Sequence, residues 1–153
     1  VEGEITNILV TGMGGSGIAA NIVQTLLRET KIPVFVNKDY SIPAFVNDKT
    51  LVFVSSYSGN TEETLSAFKE AQKKRAKIVC ICSGGKLKQI AGDAKVIMIP
   101  EGIPPRSAIA CLLFPALVVL HNSKIIKLSR EDILKIIDSL HAPELRKKAE
   151  DLA

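Results

Sequence analysis

The sequence lacks tryptophan, and aromatic residues make up only 5% of its 153 residues. Proteins that bind single-stranded nucleic acid stack the bases on aromatic rings, so this scarcity argues against that class. The formal net charge of +4 is small, and the single basic cluster, Lys73–Arg75, is assigned to the solvated end of a helix. We therefore expect no nucleic-acid partner. A mild positive charge suits a small anionic ligand.

Cysteine is also scarce, and the three residues are Cys80, Cys82 and Cys111. Their odd number and apolar surroundings predict buried thiols rather than disulfides, and a reducing compartment, the cytoplasm. We expect Cys80 and Cys82 to point to opposite faces of one strand, so that they cannot hold one metal ion together. No metal site is predicted.

Long uninterrupted hydrophobic runs are missing as well. The longest candidate, Ala108 to Leu120, has the length of one core helix and is too short to cross a bilayer. No pattern of a secretory signal is visible. We expect no membrane partner.

Apolar residues account for 46% of the chain, and short apolar runs alternate with helical patterns. We predict strands at residues 5–10, 33–36, 51–54, 77–82 and 95–99, and helices at residues 18–27, 61–75, 86–91, 106–121 and 129–140. This alternation is typical of an α/β protein with a doubly wound, five-stranded parallel sheet and helices on both faces.

The composition shifts after Leu120, which predicts two parts of the chain. Residues 1–126 form one domain, and residues 127–153 form a helical tail or linker. Ser129 is predicted to cap the helix at the start of the tail. Because the chain begins almost directly on a strand and ends within a charged helical pattern, we expect one module of a longer polypeptide.

A glycine-rich turn, Gly12-Met-Gly-Gly-Ser-Gly17, follows the first predicted strand. Its G-x-G-x-x-G spacing lets a backbone approach a bound phosphate at the start of a helix. A Rossmann dinucleotide site also needs an acidic residue at the end of the second strand, and Asn37-Lys38-Asp39 matches this poorly. A dinucleotide site and a tight turn without a ligand both remain open.

A second turn, Ser55–Thr61, follows the third predicted strand and is rich in hydroxyl groups. Ser56, Ser58 and Thr61 surround Gly59, which allows the bend. Hydroxyl donors combined with the free N–H groups of a helix N-terminus form a phosphate cradle. The alternative is an ordinary helix start capped by Thr61.

Both turns follow the carboxyl ends of parallel strands, the edge of the sheet at which ligands bind. If the first and third strands are neighbours, the two turns face one crevice, and this pair of turns favours a phosphosugar over a dinucleotide. Glu62 and Glu63 would repel a phosphate, so we expect them to point outward. In a third loop, Pro100–Ala108, prolines restrain Arg106 at the same edge, where it is placed to contact ligand oxygens.

Three motifs carry a resemblance to a known family: Gly14–Gly17, Ser56–Thr61 and Pro105-Arg106. They stand in the order seen in sugar isomerase (SIS) domains, and the match covers residues 5–120. The chain resembles most the archaeal and bacterial bifunctional phosphoglucose/phosphomannose isomerases. This resemblance implies a flavodoxin-like fold.

The resemblance also implies a reaction, in which glucose 6-phosphate or mannose 6-phosphate and fructose 6-phosphate interconvert through a cis-enediolate without a cofactor. Family proteins carry two SIS domains per chain and form homodimers, with the site at the domain junction. By resemblance the tail leads toward a second SIS domain, and the residue roles are phosphate binding by Ser56, Ser58 and Thr61, sugar binding by Gly14, Gly15 and Ser16, and catalytic stabilisation of the enediolate charge by Arg106.

The acid/base residues of the family, a proton-shuttling Glu and a ring-opening His, belong to the second SIS domain. The local candidates are His121, His141 and Glu101, and we assign none of them to catalysis. Two alternatives stay open at this point: a stand-alone SIS module that senses a phosphosugar, and a Rossmann-type dinucleotide binder.

Overall fold

A computed structural model describes residues 1, 3–104 and 106–140. His141 and the remainder of the predicted tail, residues 142–153, therefore lie outside the described residues, as does Pro105. The elements in chain order are β1 (Asn7–Thr11), α1 (Gly14–Leu26), β2 (Val34–Asn37), β3 (Thr50–Ser55), α2 (Glu62–Lys73), β4 (Lys77–Cys82), α3 (Gly85–Ile90), β5 (Lys95–Met98), α4 (Ile109–Asn122) and α5 (Arg130–Leu140). The predicted alternation of strands and helices is confirmed.

The strands form one sheet in the order β2-β1-β3-β4-β5, and every neighbouring pair is parallel. Leu9 of β1, for example, lies in register with Val52 of β3. The chain leaves β1 toward one side and returns to β3 on the other, so the topological switch lies between these two strands. The predicted doubly wound, five-stranded parallel sheet is confirmed.

Helices cover both faces of the sheet and divide the core into two layers. One layer joins α1 and α4 to one face through residues such as Val23, Phe53 and Leu120. The other joins α2 and α3 to the opposite face through Val52, Phe68 and other apolar side chains. All six residues of β3 are buried because the strand has neighbours on both edges and helices on both faces.

The expectation that Cys80 and Cys82 point to opposite faces is wrong. Residues two positions apart on a strand share a face, and both thiols pack in the layer beneath α2 and α3. Burial raises the pKa of both thiols, that of Cys80 to about 12 with a contribution from the neighbouring Cys82. The low dielectric of the core keeps these thiols protonated.

The raised pKa of Cys80 predicts that the free energy of unfolding falls as the pH rises above about 9. The unfolded thiol ionises near pH 9 whereas the folded thiol keeps its proton to about pH 12, so stability is lost across this window. The loss from this group is at most about 1.4 kcal/mol per pH unit. Urea unfolding of wild type and Cys80→Ala, with reductant, measures it. We expect the free energy of unfolding of wild type, relative to that of Cys80→Ala, to fall by about 2 kcal/mol between about pH 9 and 11. A difference that does not change with pH would contradict the burial of this thiol.

Two helix starts differ from the prediction, each for a local reason. Helix α1 begins at Gly14 rather than residue 18, and its first turn is closed by the hydrogen bond from Gly17 N–H to Met13 O (3.2 Å). Its glycines hide this turn from a propensity pattern. Helix α4 begins at Ile109 rather than residue 106, because a separate turn with a hydrogen bond from Ser107 N–H to Pro104 O (2.8 Å) precedes it.

The start of the predicted tail is described as far as Leu140. Ser129 caps α5 as predicted, since its Oγ accepts the Asp132 N–H (3.0 Å) and donates to Asp132 Oδ2 (2.6 Å). The hydroxyl and the backbone N–H of Ser129 both donate to the Asp132 carboxylate, and these two hydrogen bonds hold the pKa of Asp132 below its usual value. Leu128 packs against the core of the α1/α4 layer. The domain boundary at residue 126 stays a prediction.

Within the described part of the chain, no helix is long and apolar enough to cross a bilayer. The most apolar helix, α4, instead buries Leu112, Leu117 and Leu120 against the sheet and α1.

Candidate functional site

The glycine-rich turn after β1 and the hydroxyl-rich turn after β3 meet at the topological switch. Between them lies a cavity of about 260 Å³. Its lining consists of Met13, Gly14, Gly15, Ser16, Tyr57, Ser58 and Thr61. The two turns therefore do face one crevice, as the neighbouring position of β1 and β3 predicts.

A larger hollow of about 600 Å³ lies at the opposite edge, between the amino ends of β4 and β5, where Lys77 and Lys95 line it. Open α/β sheets bind ligands outside the carboxyl ends of their strands. None of the three motifs lines this hollow. We therefore place the candidate site at the cavity of about 260 Å³ between the turns after β1 and β3.

The turn after β3 holds its hydroxyls through hydrogen bonds within the turn. Ser56 is only 2% exposed, and its Oγ accepts the N–H of Gly59 (3.1 Å) and contacts Thr61 Oγ1 (2.9 Å). Ser58 Oγ accepts the N–H of Asn60 (3.2 Å). Of the three predicted phosphate ligands, Ser58 and Thr61 line the cavity, whereas Ser56 lies beneath them.

Thr61 precedes α2 at its N-cap position but makes no side-chain capping hydrogen bond. Its hydroxyl contacts Ser56 instead. The first-turn N–H groups of α2 therefore donate no hydrogen bond to the Thr61 hydroxyl, unlike those of an ordinary capped start. This leaves a positive helix end beside the cavity.

Neither acidic residue of the first turn of α2 lines the cavity. Glu62 is exposed, and Glu63 is half-buried. The charge of Glu63, together with burial and the charge of Glu62, raises the pKa of Tyr40 in the β2–β3 connection. Neither carboxylate is part of the cavity wall where an anion would bind.

The turn after β1 is tightly packed at its start. A Cβ on Gly12 would lie 2.9 Å from Ser16 Cβ and 2.9 Å from Ser55 O, so only glycine fits between the two turns. Gly14 is open, since a Cβ there would meet no atom within 4 Å. The wall of the cavity at Gly14 and Gly15 is therefore bare backbone that a ligand can approach.

The end of β2 offers no acidic side chain for a ribose. Asn37 is buried there, and its Nδ2 donates to Asp39 O (3.0 Å). The Asp39 carboxylate accepts the N–H of Tyr40 (2.6 Å) and so belongs to a local turn. The structure gives no support to the Rossmann-type alternative.

A third turn, after β4, supports the hydroxyl-rich turn, and the sequence pattern does not predict this contact. Ser83 donates to Tyr57 O through both its N–H (2.9 Å) and its Oγ (2.7 Å). Leu87 N–H in α3 donates to Gly59 O (2.8 Å). The hydroxyl-rich turn is therefore held from below by the turn after β4. The signal in the sequence is Ser83-Gly84-Gly85 directly after an apolar strand.

Arg106 is exposed in the turn before α4 and is not among the residues that line the cavity. Glu101, in the same loop, is also exposed. His121 lies in the last turn of α4, where its Nδ1 accepts the N–H of Leu128 (3.1 Å), which is a structural role. Among the described residues, no group of three or more His, Cys, Asp or Glu side chains could hold a metal ion.

Comparisons with known proteins show the family and the fold of the chain. A family model described as SIS domain matches residues 4–120. The bifunctional phosphoglucose/phosphomannose isomerase of Caldicellulosiruptor bescii is 50% identical over 119 residues, which cover 76% of this chain and 35% of that protein. The protein of the same name from Thermoplasma volcanium is 50% identical over 113 residues, which cover 74% of this chain and 36% of that protein.

The chain thus spans about a third of the length of these curated relatives. The solved structure of tagatose-6-phosphate ketose/aldose isomerase from Escherichia coli is similar with a TM-score of 0.62 at 19% identity. That similarity covers 90% of this chain and 43% of the other, and it shows a shared fold. The resemblance predicted from the three motifs is confirmed.

Proposed function

The chain belongs to the SIS domain family, and from this premise we propose that it is the phosphosugar-binding part of an aldose–ketose isomerase. The complete enzyme interconverts glucose 6-phosphate or mannose 6-phosphate with fructose 6-phosphate through a cis-enediolate. The observation that carries the proposal is the cavity of about 260 Å³ in which bare backbone at Gly14 and Gly15 faces the hydroxyls of Ser58 and Thr61.

The phosphate is bound by the hydroxyls of Ser58 and Thr61 beside the N-terminus of α2. Ser56 Oγ accepts the N–H of Gly59, so its own proton is available to Thr61 Oγ1. The proton of Thr61 is then free to donate to a phosphate oxygen. In this arrangement Ser56 supports the phosphate through Thr61 rather than by direct contact.

The sugar lies along the opposite wall, formed by Gly14, Gly15 and Ser16. Removal of a proton from carbon places a negative charge on the former carbonyl oxygen of the enediolate, and a fixed cation lowers the energy of this state. We assign that role to Arg106. Arg106 is exposed and does not line the cavity, so this role requires the reacting carbons to extend toward the loop between β5 and α4.

The acid and base groups come from outside the cavity. Its described lining contains no carboxylate or imidazole that could move a proton between carbon atoms. We propose that a second SIS domain supplies them, reached through residues 127–153, and that the enzyme acts as a homodimer in the cytoplasm without a cofactor. The unpaired thiols of Cys80, Cys82 and Cys111 support a reducing compartment.

Titration of the ¹⁵N-labelled chain tests the binding. Fructose 6-phosphate is expected to shift the amide resonances of residues 56–61 and 14–16, and inorganic phosphate only those of residues 56–61. NAD is expected to shift neither set. Absence of a phosphate-dependent shift at residues 56–61 would overturn the proposal.

Removal of the Ser58 hydroxyl is expected to weaken the binding of fructose 6-phosphate about tenfold, since a hydrogen bond to a charged group contributes about 1.5–3 kcal/mol. Isothermal titration calorimetry of Ser58→Ala against wild type measures this. Ser66→Ala, a change of the same chemistry in α2 away from the cavity lining, is the matched control and should bind as wild type does. Equal affinity of the two variants would show that Ser58 does not bind the phosphate.

A further inference from the structure

The hydroxyl of Tyr57 crosses from the turn after β3 to the loop between β5 and α4. It donates to Pro100 O (3.1 Å) and accepts the N–H of Ile103 (2.7 Å). The phenol of Tyr57 therefore hydrogen-bonds to both ends of the segment 100–103. Within the described residues, these are the only hydrogen bonds between residues 56–61 and residues 100–104.

Tyr57 is itself held firmly at its backbone. Its carbonyl accepts two hydrogen bonds from Ser83, at 2.9 Å and 2.7 Å. Its ring is partly buried against the α1/α4 layer and also lines the cavity. The Tyr57 side chain thus extends from the wall of the cavity to a loop that is mostly exposed.

The loop that Tyr57 holds leads directly to Arg106, three residues after Ile103. Glu101, Gly102 and Arg106 are exposed, so few buried contacts fix the loop. Packing of the ring does not need the hydroxyl. Without it, water at this surface would hydrogen-bond to Pro100 O and Ile103 N–H instead. The hydroxyl is needed only to fix where the loop lies.

We infer that Tyr57 is a positioning residue that fixes Arg106 relative to the phosphate held by Ser58 and Thr61. This inference rests on the proposed function. A sugar phosphate contacts both the turn at residues 56–61 and Arg106, so it needs the two at a fixed distance from each other. Inorganic phosphate contacts only the turn. The two ligands therefore respond differently to loss of the phenol hydroxyl.

Tyr57→Phe tests the inference, with affinities for fructose 6-phosphate and inorganic phosphate measured by calorimetry. We expect about a fivefold loss of affinity for the sugar phosphate and no change for inorganic phosphate. Hydrogen exchange of the Ile103 amide should also accelerate. Tyr40→Phe, which removes the only other phenol of the chain at an exposed position, is the control and should change none of these values.

A double-mutant cycle separates positioning from simple structural support. In an Arg106→Ala background, Tyr57→Phe should cause no further loss of affinity for fructose 6-phosphate. An equal loss for both ligands, an unchanged sugar-phosphate affinity, or a full fivefold effect without Arg106 would each overturn the inference. A wild-type chain that binds neither ligand overturns the proposed function and this inference with it. Ile103 exchange in Tyr57→Phe then still shows whether the phenol holds the loop.

Discussion

Gly59→Ala is expected to lower the free energy of unfolding by about 3 kcal/mol, the sum of backbone strain and overpacking. Gly59 has a φ of +67°, in the left-handed region that side chains disfavour. A Cβ at this position would overlap the carbonyl oxygen of Gly84. Since that obstacle is backbone, the turns after β3 and β4 would have to separate, and the hydrogen bond from Leu87 N–H to Gly59 O would break.

The matched control for this change is Gly92→Ala. Gly92 has a similar φ of +56°, but a Cβ there would meet no atom within 4 Å. It carries the backbone strain alone, about 1 kcal/mol. Urea unfolding followed by circular dichroism compares the two variants. Equal losses of stability would mean that the turns after β3 and β4 do not interlock as described.

The fold could be predicted from the sequence because the strands differ sharply from their surroundings. Residues 51–54 are wholly apolar, which is the mark of a strand covered on both faces, and β3 is indeed the central strand. The predicted crevice followed from topology: once β1 and β3 are neighbours, the turns that follow them must meet. Helix starts at glycine or proline were less predictable, because local hydrogen bonds rather than periodicity place them.

The residue types that line the cavity could be predicted from the sequence, but their contacts could not. The sequence places Ser56 among three equivalent hydroxyls, whereas the structure buries it beneath Ser58 and Thr61. Nothing in the spacing of Tyr57 indicates that its phenol reaches a loop more than forty residues later. Contacts of this kind depend on the order of β3, β4 and β5 in space, and sequence periodicity reports only which face of an element is buried.

The position of the hydroxyl-rich turn after β3 depends on how α2 packs on the sheet. Thr61 stands at the start of α2, and Phe68, two turns along, is completely buried against the sheet. Its layer includes Val52 and Val54 of β3 and Leu87 of α3. The same apolar layer therefore includes α2, the central strand and α3, whose Leu87 N–H donates to Gly59 O.

Phe68→Ala is accordingly expected to lower the free energy of unfolding by about 4 kcal/mol, through lost burial and the cavity that remains. Phe68→Leu keeps most of the volume and should lose only about 1 kcal/mol. Phe35→Ala, on the edge strand β2 where the ring is 38% exposed, is the control for phenylalanine truncation and should lose less than Phe68→Ala. Urea midpoints at constant slope measure all three. If Phe68→Ala and Phe35→Ala lost the same stability, α2 would not be anchored to the sheet through this ring, and the hydroxyl-rich turn after β3 would need another support.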